Sequence, residues 1–256
     1  MSLLNNLAEI NEVFNIITSY EGTFTKDFLG LRTIIKRKIN NWDTTILSIP
    51  SYIFACTNFV KAIFPQCSTV GIGAFKNCSI LTTASLNNCE YINDSAFYNC
   101  TNLKEIYTPN CTGIGNSVFA NCSNLQTISL PACISISNNA FRNCFSLETV
   151  NLPACEYIGS NAFENCSDLS IISLPVCSYI KDKAFYGCYS LQTANLPACI
   201  SIVGAFYRCS NLQSIDLSVC RYIGDSTFAS CINLQSIDLP VCSYIGNNVF
   251  ENCSKL

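Results

Sequence analysis

Cysteine recurs along this chain at a fixed spacing, and that spacing constrains the fold more than any other feature. The chain has 19 cysteines, and each lies eleven residues after the previous one, except for a single step of ten between Cys199 and Cys209. Two sequence contexts alternate, one with Phe three residues before the cysteine and one with Leu-Pro just before it. The repeating unit is therefore 22 residues long and holds two cysteines. Repeats of this length are typical of solenoids.

Each unit contains a short strand pattern. Ile128 and Leu130 alternate with Thr127 and Ser129, which predicts a strand with one buried face. Pro131 lacks an N–H and ends the strand.

The rest of the unit supplies a second wall for the core. Cys133 is a small residue that fits the corner after the strand, and Ile136 and Phe141 face it from the other side. One unit buries too little apolar surface to fold alone, so neighbouring units must stack and pair their strands. The missing residue before Phe206 predicts a tightened turn with an intact core.

The stretch LPACEYIGSNAFENCSDL at 152–169 shows these features together. Its order of Leu-Pro, Tyr-Ile-Gly, Ala-Phe, Cys and Leu resembles the BspA-like leucine-rich repeat proteins. The resemblance implies a leucine-rich repeat solenoid, curved, with stacked parallel β-strands and short turns, over about nine units in residues 46–256. It also implies adhesion or protein binding rather than catalysis, and a place at the cell surface.

Residues 1–45 lack the repeat. Leu3, Leu7, Ile10 and Phe14 recur at three- and four-residue spacing, which predicts an amphipathic helix, and a second such pattern follows. We expect a small α-helical N-terminal cap that covers the first unit. A helix pair for docking or oligomerisation is the alternative.

Three interpretations compete for the cysteines: metal ligands, disulfides or a structural ladder of free thiols. The chain has no His and no C-x-x-C pair, which disfavours metal, and the odd count disfavours complete disulfide pairing. We predict two buried ladders of free thiols, of nine and ten members. Without a histidine base, a catalytic cysteine is not expected, and we predict no catalytic residue, metal or cofactor. The ladders are represented by Cys133, Cys155 and Cys177 and by Cys144, Cys166 and Cys188.

Two columns of outward residues form the candidate binding surface. The strand column is small and polar, and it includes Ser129, Asn151, Asn195, Asp216 and Asp238. Tyrosine, which is favoured at interfaces, forms the other column. The alternative is that these rings stack on one another and stabilise the solenoid. The column comprises Tyr91, Tyr157, Tyr179, Tyr222 and Tyr244.

Composition and the two ends of the sequence bear on partners and location. With a net charge of −3 and 12% charged residues, the chain is not expected to bind nucleic acid. No stretch reaches the roughly 20 apolar residues of a transmembrane segment. The N-terminus lacks a signal peptide, which suggests a cytoplasmic protein, whereas the resemblance suggests the cell surface. The final Ser-Lys-Leu matches a peroxisomal address, but the repeat itself dictates its Ser and Leu, so that location is not expected.

These observations predict a non-enzymatic protein-interaction or adhesion scaffold whose partner is a protein or glycan surface. The alternative is a self-assembling structural protein that oligomerises through an open C-terminal solenoid end, as an end-to-end homodimer.

Overall fold

The computed structural model describes residues 46–256, so the predicted helical cap lies outside the described residues. The described chain is a parallel β-solenoid of strands and turns, without a helix. Most units contribute one three-residue strand and one two-residue strand. The three-residue strands are β2 (Lys61–Ile63), β4 (Thr83–Ser85), β6 (Glu105–Tyr107), β8 (Thr127–Ser129), β10 (Thr149–Asn151), β12 (Ile171–Ser173), β14 (Thr193–Asn195) and β16 (Ser214–Asp216).

The two-residue strands form one continuous sheet of ten parallel strands. Its register matches residues one unit apart, so that Tyr157 pairs with Tyr179 and Ile158 with Ile180. These strands, in their order across the sheet, are β1 (Ser48–Ile49), β3 (Thr69–Val70), β5 (Tyr91–Ile92), β7 (Gly113–Ile114), β9 (Ser135–Ile136), β11 (Tyr157–Ile158), β13 (Tyr179–Ile180), β15 (Ser201–Ile202), β17 (Tyr222–Ile223) and β18 (Tyr244–Ile245).

The three-residue strands line the other side of the unit in three shorter parallel sheets, β2-β4-β6, β8-β10 and β12-β14-β16. In β8, Ile128 is buried between exposed Thr127 and Ser129, as the alternation predicts. The predicted strand around Asp238 is not formed. In this segment Gln235 N donates a long hydrogen bond, 3.4 Å, to Gln213 O of the preceding unit, and no strand ladder follows from it.

A column of phenylalanine rings runs through the core. From Phe75 to Phe250 each ring stacks on its counterpart in the next unit, with centroids 5.0–5.9 Å apart and planes within 14°. Such stacking adds to the energy of apolar burial. Leu130, Cys133 and Ile136 are likewise buried, so both predicted walls of the core are confirmed.

The segment between each two-residue strand and the next cysteine, here called the Phe turn, needs two left-handed residues. In the unit 159–165, for example, Asn161 and Asn165 have φ of 55° and 60°, and every described unit has such a pair. Asparagine tolerates this conformation better than most residues. This explains the Asn that precedes most of the Phe-context cysteines.

The shortened unit keeps its core. Phe206 stacks on Phe185 at 5.1 Å, and β15 pairs with both neighbouring strands, so the core is intact, as predicted. In most other units the N–H of the first left-handed residue donates to a backbone carbonyl of the next unit, as Asn139 does to Ser160. Gly204 N–H instead donates to Thr227 Oγ1 at 3.0 Å, and that hydroxyl donates to Gly224 O at 2.7 Å. Thr227 therefore compensates for the missing residue.

Replacing Thr227 with Val should lower the free energy of unfolding by about 1–3 kcal/mol, because a buried N–H and a buried carbonyl both lose their partner. Thr227→Ser keeps the hydroxyl and should retain more of the stability, which makes it the control. Urea unfolding followed by circular dichroism measures both. Equal stability of the Val variant and the parent chain would contradict this role of Thr227.

Candidate functional site

The cysteines that follow Leu-Pro, together with those at the equivalent position of the other units, form the first thiol ladder. Their side chains point into the unit, and each thiol donates to the carbonyl oxygen two residues ahead, at 3.0–3.6 Å. Cys133, Cys155 and Cys177 thus bind the first residue of β9, β11 and β13. The thiol closes the corner between the Leu-Pro turn and the next strand.

The cysteines of the Phe turns form the second ladder. From Cys78 onwards, each thiol donates at 3.0–3.3 Å to the carbonyl oxygen of the Phe in the preceding unit. Cys144, Cys166 and Cys188, for example, bind Phe119, Phe141 and Phe163. This ladder therefore ties each unit to its neighbour, whereas the first ladder acts within a unit.

None of the cysteines in residues 46–256 forms a disulfide, and all except Cys56, Cys242 and Cys253 are buried. The predicted regular cysteine ladder is confirmed, but the second ladder has nine members rather than ten, because Cys56 is exposed and occupies the left-handed position that Asn77 has in the next unit. Burial raises the pKa of Cys133 and Cys155 to about 12 and that of Cys177 to about 11, because the thiolate loses its hydration. In the other ladder, burial holds the pKa of Cys144 and Cys166 well above its usual range.

The Cys199–Cys220 pair departs from this pattern. A hydrogen bond between the two thiols raises the pKa of Cys199, which burial raises further, and lowers the pKa of Cys220. Cys220 is itself buried, which limits the access of a substrate to its thiol. Nucleophilic and metal-binding cysteines react as thiolates, so these ladders are suited to packing. Among residues 46–256, no cluster of acidic or thiol side chains could hold a metal ion.

The predicted strand column lies on the surface, as short polar pairs. Asn151 Nδ2 donates to Ser129 Oγ at 3.0 Å, and Asn195 is the register partner of Asp216. Asp238 is exposed but lies outside any strand. The column is low in relief and its amides are partly satisfied by neighbouring hydroxyls.

The tyrosine column is not continuous. Tyr222 and Tyr244 stack with centroids 4.6 Å apart, whereas Tyr91 packs beside Gly113, which has no side chain on which the ring could stack. Lys181 Nζ lies 6.0 Å from the centre of the Tyr157 ring, and Tyr179 is exposed. Within the column, Tyr222 and Tyr244 stack on each other, and both of these rings are exposed, as are those of Tyr91 and Tyr179.

A different group of tyrosines was missed by the sequence reasoning. Tyr186 and Tyr207 occupy equivalent positions in adjacent Phe turns, with ring centroids 5.3 Å apart at 60°. The Arg208 guanidinium lies 5.5 Å from the centre of the Tyr207 ring and donates to Tyr186 Oη at 3.3 Å. Tyr189 adds an exposed ring whose hydroxyl end lies against the Gly187 turn. The available signal was Arg208 itself, at a position where most units have Asn.

The stacked units, their parallel register and their buried ladder define a leucine-rich repeat protein. Two solved structures share this fold. A leucine-rich repeat protein from Bacteroides ovatus aligns with a TM-score of 0.61 at 23% identity, covering 84% of this chain and 70% of its own. A leucine-rich repeat protein from T. pallidum aligns with a TM-score of 0.52 at 23% identity, covering 78% and 89%.

The particular family is given by the sequence match. The model of the BspA type leucine rich repeat region (6 copies) matches residues 47–154 and 134–256. The chain belongs to this family, as the resemblance implied. A comparison with curated proteins returns no match. Within residues 46–256, no helix has the length and apolar character needed to cross a membrane.

Proposed function

We propose that this chain is a protein-interaction or adhesion scaffold without enzymatic activity. The observation that carries the proposal is that the repeated residues of each unit are buried and the variable residues are exposed. The cysteines, Phe rings and aliphatic residues form the core, while the residues that differ between units lie on the surface of the stacked turns and strands. Leucine-rich repeat proteins typically use such surfaces to bind proteins or other ligands, and extended arrays suit this role.

The candidate surfaces are the strand column, the exposed members of the tyrosine column and the cluster around Arg208. The end-to-end homodimer remains a prediction from the sequence, as does a glycan partner. The thiols support the non-enzymatic interpretation, because most have a raised pKa and no histidine base accompanies them.

The test is surface plasmon resonance with the full chain immobilised, over a panel of purified cell-surface and extracellular-matrix proteins, with a glycan array in parallel. Saturable, reversible binding to a protein supports the proposal. Binding to glycans alone would replace the protein partner with a glycan. If no member of either panel binds, while sedimentation velocity shows polymerisation as concentration rises, the self-assembling structural protein is the better account.

A further inference from the structure

Arg208 stands where the fold favours a different residue. It is the second left-handed residue of its Phe turn, with φ of 63°. Other units place Asn there most often, as at Asn143 and Asn165, and Gly187 occupies it in the preceding unit. A long side chain gains nothing from this backbone conformation, and Asn or Gly would adopt it with less strain. Because every described unit has this backbone conformation, the choice of Arg rather than the φ value distinguishes this turn.

The side chain of Arg208 is held in place by aromatic contacts. Its guanidinium covers the Tyr207 ring and donates from Nη1 to the hydroxyl of Tyr186, while the side chain remains exposed. The phenols of Tyr186, Tyr207 and Tyr189 all raise the pKa of this guanidinium, Tyr186 most. An oriented guanidinium loses less conformational freedom on binding than a mobile one.

The charge of Arg208 is not neutralised by the rest of the described chain. Among residues 46–256, no carboxylate lies within salt-bridge distance of it. Of the carboxylates in neighbouring Phe turns, Glu164 binds Arg142 at 3.1 Å, Asp182 lies 4.0 Å from Lys183, and Asp225 accepts a hydrogen bond from Asn247 N–H at 2.7 Å. Arg208 therefore presents a fixed fork of donors, with one donor used on a phenol and the others open to a ligand.

The arrangement favours a carboxylate over a stacked sugar ring. The guanidinium already covers one face of Tyr207, and the Tyr186 and Tyr207 rings meet at 60° rather than forming a flat platform. The remaining N–H donors of the planar Arg208 guanidinium are open, and they match a carboxylate in a bidentate geometry. Arg and Tyr side by side are also the residue types that dominate the energy of protein interfaces.

We propose that Arg208, with Tyr186, Tyr189 and Tyr207, binds an acidic segment of a partner protein through an Asp or Glu side chain. The guanidinium takes the carboxylate, and the tyrosines provide the surrounding apolar contact and hold the guanidinium in position. This site rests on the proposed scaffold function and names the surface and the partner chemistry that it would use.

The test begins with a phage-displayed library of random linear peptides, panned on the full chain and on its Arg208→Asn variant. Asn is the residue that this turn favours, so the variant should unfold at the same temperature as the parent chain or a higher one. The parent chain should enrich peptides that contain Asp or Glu, and the variant should not. An enriched peptide, labelled and measured by fluorescence anisotropy, should bind the variant about tenfold or more weakly.

Arg221→Asn is the matched control. It removes the same charge from an exposed arginine in the next unit, for which the structure shows no ring contact and no carboxylate partner among the described residues. It should change the affinity by less than about twofold, as expected when only the overall charge is altered. Replacing Asp and Glu of the peptide by Asn and Gln should abolish binding to the parent chain.

The outcomes separate the site from the scaffold function. Enriched peptides that lack carboxylates, or that bind Arg208→Asn as tightly as the parent chain, overturn the site and leave the scaffold function standing. Arg208-dependent binding of acidic oligosaccharides without any peptide enrichment overturns the peptide assignment. If no peptide is enriched and no protein binds in the plasmon resonance panel, both the site and the scaffold function fail.

Discussion

Phe163→Ala should lower the free energy of unfolding by about 3–5 kcal/mol. Its ring is fully buried and stacks between Phe141 and Phe185, at 5.1 and 5.2 Å. Removal leaves a cavity that the rigid register of neighbouring units cannot close. Because each unit is held mainly by its two neighbours, the defect also weakens the coupling between the two halves of the array.

Phe145→Ala is the matched control for this change. Phe145 lies in the same part of the chain, but it follows the cysteine and is 47% exposed. Its loss should change the free energy of unfolding by less than about 0.5 kcal/mol. Urea unfolding by circular dichroism compares the two variants. Similar destabilisation by both would contradict the assignment of Phe163 to the column of stacked rings.

Alkali should unfold the described array above about pH 9, with most of the loss complete near pH 12. The pKa of Cys89, Cys111, Cys122, Cys133 and Cys155 is raised mainly by burial, to about 12, from an ordinary value of 9.0. A group whose pKa is higher in the folded state stabilises it fully below the unfolded pKa. That contribution is lost as the pH rises to the folded pKa. Many thiols act together, so the transition should be steep.

The measurement is circular dichroism as a function of pH, at low and high ionic strength. General charge repulsion at high pH is screened by salt, whereas the cost of ionising a buried thiol is screened much less. The midpoint should therefore move little with salt. A native spectrum that persists above the pKa of the buried thiols, or a midpoint that follows ionic strength, would contradict this mechanism.

The solenoid fold of residues 46–256 could be predicted from the sequence, because each repeat unit shows the same pattern again. The alternation around Ile128, the stop at Pro131 and the small residue at Cys133 recur together, and each is explained by a buried corner. The register followed as well, since equivalent residues must lie side by side in a stack. The paired left-handed turns were not predicted, because an Asn that recurs between units, such as Asn143, has several possible reasons in a sequence.

The candidate site was harder to predict, for a physical reason. A repeat pattern describes what units share, whereas a binding site depends on what one unit does differently. Tyr207 and Arg208 were overlooked because they depart from the pattern, and their contact with Tyr186 exists only once the shortened unit is placed in register. The Thr227 hydroxyl was overlooked for the same reason, since its partner Gly204 lies in the previous unit.

The non-enzymatic account depends most directly on the claim that the cysteines are reduced, structural thiols. The measurement is alkylation of the unreduced full chain, native and in denaturant, read by peptide mass spectrometry. The account predicts that denaturant exposes all 19 cysteines to labelling. Within the described residues of the native chain at neutral pH, labelling should fall on Cys56, Cys242 and Cys253. Disulfide-linked peptides, or rapid labelling of ladder members such as Cys144 and Cys155 in the native chain, would contradict it.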